Sequence, residues 1–265
     1  TLFRSGYLIG ALVAAPLAER LGALRVLVIC WVAVMLSFAG CSLPQPMALF
    51  FVWRLFSGIA GAALMVLGPS VAMAAAAPQR RATLGPLMFC GIGVGALLAA
   101  TLVPMFARSS LSAVWWALTA LCALALYSGW HAARQIPLHA PVAIQPTAVA
   151  ASSTTPWSLA VILVLVAYAC DAFGFVPHTV FWVDYLDREL QLGGAYASTQ
   201  WAFFGLGAMV GPLCAAYCAT RWGWWGTTTG AYALKAVAIG LPLVWAGFGG
   251  HALSGFVVGA LSPGM

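Results

Sequence analysis

Residues 6–22 read GYLIGALVAAPLAERLG, and residues 207–223 read GAMVGPLCAAYCATRWG. Aligned without gaps, the two stretches share a pair of four-spaced glycines, a leucine (Leu12, Leu213), three alanines and a terminal Arg-x-Gly. Each reads as an apolar helix with small residues four apart, closing in an arginine and a helix-stopping glycine. A helix that repeats in two halves of an apolar chain points to a duplicated membrane bundle.

Composition agrees. Of 265 residues, 63% are hydrophobic and only 6% are charged, and the mean hydropathy is +1.00. A soluble domain cannot cover that much apolar surface with so few polar groups. Apolar stretches of about 20 residues follow one another almost without pause, the mark of an all-α, polytopic integral membrane protein. The net charge of +6 comes from basic residues spread singly. They form no patch, which excludes nucleic-acid binding. The seven cysteines lie inside apolar stretches with no C-x-x-C pair, and the four histidines are scattered. We therefore expect small buried cysteines, no metal site and no cofactor.

Eight spans and the start of a ninth are expected: 2–21, 24–43, 47–76, 82–106, 111–133, 157–181, 195–219, 225–247, and one from His251. Residues 134–156, rich in Ala, Pro, Thr and Ser, read as the single long linker. They divide an N-terminal bundle (1–133) from a C-terminal bundle (157–265). The chain starts at Thr1 close to a span and stops at Met265 inside one, so a piece of a longer protein is expected. Alternating the loops puts Arg20, Arg25, Arg80, Arg81, Arg134 and Arg221 on one side, which is then cytoplasmic, as is the linker. Arg4, Arg108 and Arg188 fall on the other side, with an acidic loop of Asp184, Asp187 and Glu189. Trp115, Trp116, Trp182, Trp222, Trp224 and Trp225 are expected in interfacial belts. The expected location is a bacterial-type cytoplasmic (inner) membrane.

The segment LAERLG (17–22) resembles the Leu-x-Asp-Arg-x-Gly loop of the major facilitator superfamily, between its second and third helices. Arg221-Trp222-Gly223 is similar to its counterpart in the other half. RLFSGIAG (54–61) resembles the fourth-helix pattern of that family, and HALSG (251–255) the tenth, which sets His251 opposite Arg54. GIGVG (91–95) with Pro104 resembles the fifth helix, and GFVPHT (174–179) the YbfB/YjiJ-type branch. The resemblance implies two pseudo-symmetric six-helix bundles, of which this chain covers about the second to the tenth helix. It also implies that Glu19, Arg20, Gly22, Arg221 and Gly223 belong to cytoplasmic gating loops.

Several residues could carry chemistry. Gly6/Gly10, Gly91/Gly95, Gly207/Gly211, Gly226/Gly230 and Gly255/Gly259 are four-spaced pairs that allow close helix approach. Asp171, Lys235 and Arg54 lie inside spans, Asp171 roughly 20 Å along its helix axis. Facing lipid, each would cost on the order of 3 kcal/mol, so they should face protein or water. They are candidates for substrate binding or proton coupling; alternatively, Asp171 and Lys235 neutralise each other structurally. Asp171 and His178 share a helix face, with Pro177 between them able to kink it. They could couple protonation to bending, or His178 could cap the helix end.

The leading expectation is a monomeric secondary transporter, not an enzyme. It would move a small polar or anionic solute across the lipid bilayer with protons, by alternating access. Arg54, Asp171, His178, Lys235 and His251 would line its path. An intramembrane enzyme acting on lipid-linked substrates, or a transporter-like sensor or scaffold, are the competing readings.

Overall fold

The backbone breaks where each copy of the repeat ends. In the computed structural model, which describes residues 2–134 and 158–262, Gly22 has φ 87° and ψ 134°, and Gly223 has φ 74° and ψ 164°. These conformations are open to glycine and strained for other residues. Nothing lies within 4 Å of a Cβ placed at either glycine. Gly22→Ala or Gly223→Ala should therefore act through the backbone alone. Each is expected to lower stability by about 1–3 kcal/mol, as measured by unfolding the complete protein.

The described residues are helical throughout, joined by short turns. The helices are α1 (Leu2–Leu21), α2 (Ala23–Cys41), α3 (Met47–Ala75), α4 (Pro78–Ala107) and α5 (Leu111–Ala133). They continue with α6 (Leu159–Val176), α7 (Gly194–Val244), which is divided by the break at Gly223, and α8 (Phe248–Leu261). Among the described residues, six helical segments are long and apolar enough to cross a membrane. Local chemistry sets several boundaries. Pro46 precedes α3 and Pro78 opens α4, where a missing N–H is harmless. The Ser158 side chain accepts from the Val161 N–H and so caps α6. Pro69 lies within a continuous α3.

By contacts, one unit takes Thr1–Arg81 and Met105–Ile144, and the other takes Ala82–Pro104 and Gln145–Met265. The middle of α4 thus groups with the second unit, because Gly93 lies against the backbone of Gly205, Ala208 and Met209 on α7. The expected linker at 134–156 lies, apart from Arg134, outside the described residues.

Within the first unit α3 packs on α1 and α2, and α5 packs on α2. Gly6 and Gly10 seat α1 on α3, since a Cβ at either would overlap the carbonyl oxygen of Leu55 or Ile59. In the second unit Gly207 and Gly211 do the same to Phe256 and Ala260 of α8. Every partner is displaced by the same 201 positions, so the duplication is one of packing as well as of sequence. This register corrects one expected match. Arg54 corresponds to Gly255, and His251 corresponds to Phe50, one helical turn from the pairing of Arg54 with His251. The same register relates two serine clasps. Ser37 Oγ donates to the Trp53 carbonyl at 2.6 Å, and Ser254 Oγ donates to the Ala238 carbonyl at 2.6 Å.

Other glycines depart from expectation. Cβ atoms at Gly91, Gly95 and Gly230 would meet nothing within 4 Å, and one at Gly226 only the Trp222 side chain at 3.7 Å. Four-spacing places them on one face, but among the described residues no backbone of another helix comes within 4 Å of these Cβ positions. Gly259 does pack closely, on the Phe204 carbonyl.

Candidate functional site

After Val176, α6 continues through a wide π-type turn at Pro177–Phe181, one α-helical turn at Trp182–Asp184 and a second wide turn at Tyr185–Glu189. The acidic stretch is therefore helical and not a loop. Asp184 and Arg188 pair at 2.9 Å four residues apart, and both are exposed. Such a pair adds only a few tenths of a kcal/mol (about 0.3–0.5), enough to favour helix in a polar stretch.

The intramembrane charges of the second unit meet. Lys235 Nζ donates to both carboxylate oxygens of Asp171, at 2.8 and 2.9 Å. The Lys235 side chain is only 3% exposed and that of Asp171 21%. The ammonium also lies 4.9 Å from the centroid of the Phe175 ring, a favourable place for a cation. Tyr168, Asp171, Ala172, Phe175, Tyr232, Lys235 and Ser262 line a recess onto which the pair opens. The two charges neutralise one another while the Asp171 side chain stays partly exposed.

His178 takes a different partner from Asp171. It is buried and bonds to Ser254 Oγ on α8 at 2.8 Å through Nε2. Because Ser254 spends its own hydrogen on the Ala238 carbonyl, it can only accept from His178. This network assigns the neutral imidazole its proton on Nε2 and leaves Nδ1 as a lone pair. His178 is thus neither a helix-end cap nor a partner of Asp171. Its ring stacks on Trp182 at 4.6 Å, and Trp182 meets His251 edge-on at 5.6 Å. Trp182, expected in an interfacial belt, is instead buried between the two histidines. His251 Nδ1 bonds to the Tyr196 hydroxyl at 2.8 Å. One turn after Tyr196, Gln200 is fully buried, with its amide near that hydroxyl.

Gln200, Trp182, Tyr196 and Ser254 were not singled out from sequence as site residues. The available signal was a glutamine within an apolar span, and a serine inside the HALSG motif. His178 Nδ1, Trp182 Nε1 and both polar atoms of the Gln200 amide are buried with no partner. Each such group costs on the order of 1–3 kcal/mol, and native proteins leave few of them.

In the first unit Arg54 is half-buried, with its guanidinium 5.5 Å from the Trp115 ring and 5.9 Å from that of Phe38. Both are cation–π distances. Glu19, Arg20 and Arg221 are exposed beside Gly22 and Gly223, two of the three positive-φ glycines among the described residues. Among the described residues, no group of three or more His, Cys, Asp or Glu side chains could hold a metal.

The sequence profile of a family described as "Uncharacterised MFS-type transporter YbfB" matches residues 4–265. A curated relative is the MFS-type transporter mpsC of Macrophomina phaseolina (strain MS6). It is 33% identical over 94 residues, covering 33% of this chain and 18% of that protein. The match therefore spans less than a fifth of that relative's length. These matches point to a transporter rather than an enzyme. With the profile running from residue 4 to the last residue, over helices that suit a membrane, the chain belongs to the YbfB-type branch of the major facilitator superfamily.

Proposed function

We propose that the complete protein is a secondary active transporter of a small polar solute, working by alternating access and coupled to protons. Family membership supports transport. The single observation that supports coupling is the Asp171–Lys235 pair, held bidentately inside a span with the carboxylate partly open to a recess. Protonating Asp171 would discharge the carboxylate and leave Lys235 buried and unneutralised. A buried charge without its partner is costly, so the protonated protein would favour a different helix arrangement. That is how a proton can be made to drive rocking of two bundles. In this reading residues 134–156 link the bundles, and the arginine-glycine turns at Arg20–Gly22 and Arg221–Gly223 belong to gating loops. The side bearing Arg20, Arg25 and Arg221 faces the cytoplasm of a bacterial-type cell.

The test is proton movement in liposomes holding the complete protein, driven by a metabolite panel. Wild type is expected to take up protons with substrate, and Asp171→Asn to lose that uptake. Substrate flux without protons in wild type would leave a facilitator and sink the coupling reading.

A further inference from the structure

Three helices each contribute one turn to the buried cluster of the second unit: His178 and Trp182 from the extension of α6, Tyr196 and Gln200 from α7, His251, Ser254 and Gly255 from α8. The charges and half of the hydrogen bonds are accounted for. His178 Nε2 is taken by Ser254 and His251 Nδ1 by Tyr196, while Lys235 is neutralised by Asp171. Among the cluster's fully buried atoms, those without a partner are an acceptor at His178 Nδ1, a donor at Trp182 Nε1–H, and a donor and an acceptor on the Gln200 amide. All three side chains are at least nine-tenths buried. Gly255 lies beside the same two residues, since a Cβ there would stand 3.4 Å from the main-chain carbonyl of Gln200 and 3.9 Å from Trp182 Nε1.

We propose that Gln200, Trp182 and His178 form the recognition site for an uncharged ligand carrying hydroxyl or amide groups, seen here closed. The inference rests on the transporter reading and deepens it by narrowing the substrate from polar or anionic to polar and neutral. A carboxylate or ammonium would find no counter-charge among the unspent groups. A hydroxyl-bearing molecule can donate to His178 Nδ1, accept from Trp182 and do both with Gln200. The atoms are shut off from water, so the ligand enters only when α6 and α8 part. The wide turns on either side of Trp182 supply the give, because π-type turns rewind readily and recur at functional positions. Hydrogen-bonding groups that no neighbouring side chain satisfies also sharpen selection. A ligand that satisfies them gains what an apolar one cannot.

The experiment is a thermal-unfolding titration of the complete protein in detergent. The probes are sorbitol, ribitol and glucose, with gluconate and glucosamine as charged counterparts. At millimolar concentrations at least one neutral probe should raise the melting temperature of wild type, with gluconate and glucosamine inert. Gln200→Leu should melt a few degrees above wild type without probe, since it removes an unsatisfied amide. The same variant should bind the neutral probe about tenfold more weakly. Gly255→Ala, whose methyl fits the closed form, should fold normally and lose the probe response to a similar degree. The proposal is overturned if Gln200→Leu melts at or below wild type, if a charged probe is preferred, or if no neutral probe gives a shift that this variant loses. Binding is read here without transport. Normal probe binding together with absent proton flux would therefore sink the coupling reading and leave this site standing.

Discussion

Asp171→Ala is expected to destabilise the protein by about 3–5 kcal/mol, the loss typical of a buried pair deprived of one member. The reason is Lys235, whose side chain is 3% exposed and whose ammonium would then have the Phe175 ring beside it but no counter-charge. Asp171→Leu combined with Lys235→Met should recover most of that loss, because two apolar side chains of similar volume need no neutralisation. Thermal unfolding of the two variants checks this. The double variant also separates the roles of the pair. A purely structural pair leaves transport intact once stability is restored, whereas a proton-carrying pair leaves a well-folded protein without substrate-driven proton uptake.

Gly10→Ala and Gly211→Ala should both fail badly, and for one reason. In each case the new methyl overlaps a backbone carbonyl, Ile59 or Ala260, which no side-chain rotation can move away. The helices must separate, at about 1–3 kcal/mol or more for each overpacked contact. A larger residue such as leucine should prevent the pairing altogether. Gly91→Ala and Gly230→Ala have open space at the same point and should be neutral, or stabilising by up to about 1 kcal/mol through helix propensity. Yields and melting temperatures of the four variants decide the matter. Equal losses in all of them would show that small-residue spacing, and not close approach, is what these helices require.

Much of the fold was legible because membrane helices announce themselves by length and by their ends. The third span was expected at 47–76 and runs Met47–Ala75; the Arg-x-Gly endings marked both chain breaks. The pairing of Asp171 with Lys235 was legible as well. Two opposite charges in apolar spans have few other ways to be satisfied. The histidine cluster was not legible. Its members come from three helices whose rotations only packing fixes, and the wide turn from Pro177 disturbs the face counted forward from Asp171. The acidic stretch was misread because its polarity suggested a loop, whereas a four-spaced ion pair and two wide turns keep it helical. Repeated letters also misled locally. HALSG resembles RLFSG in composition, yet the glycine contacts set the two helices one turn out of that match.

The two serine clasps illustrate what a duplicated scaffold leaves free to change. At one crossing, Ser37 reaches from α2 to α3; at the equivalent crossing, Ser254 reaches back from α8 to α7. Both fasten the same pair of helices equally well, so the hydroxyl's home is a neutral choice as far as the bundle is concerned. Once it resides on α8, however, its lone pairs point at a third helix, and His178 has used them. One half has turned a fastener into a fixed imidazole tautomer, while the other has kept only the fastener. An engineer wishing to give the first half a similar site would begin by moving its hydroxyl across the crossing, from position 37 to position 53.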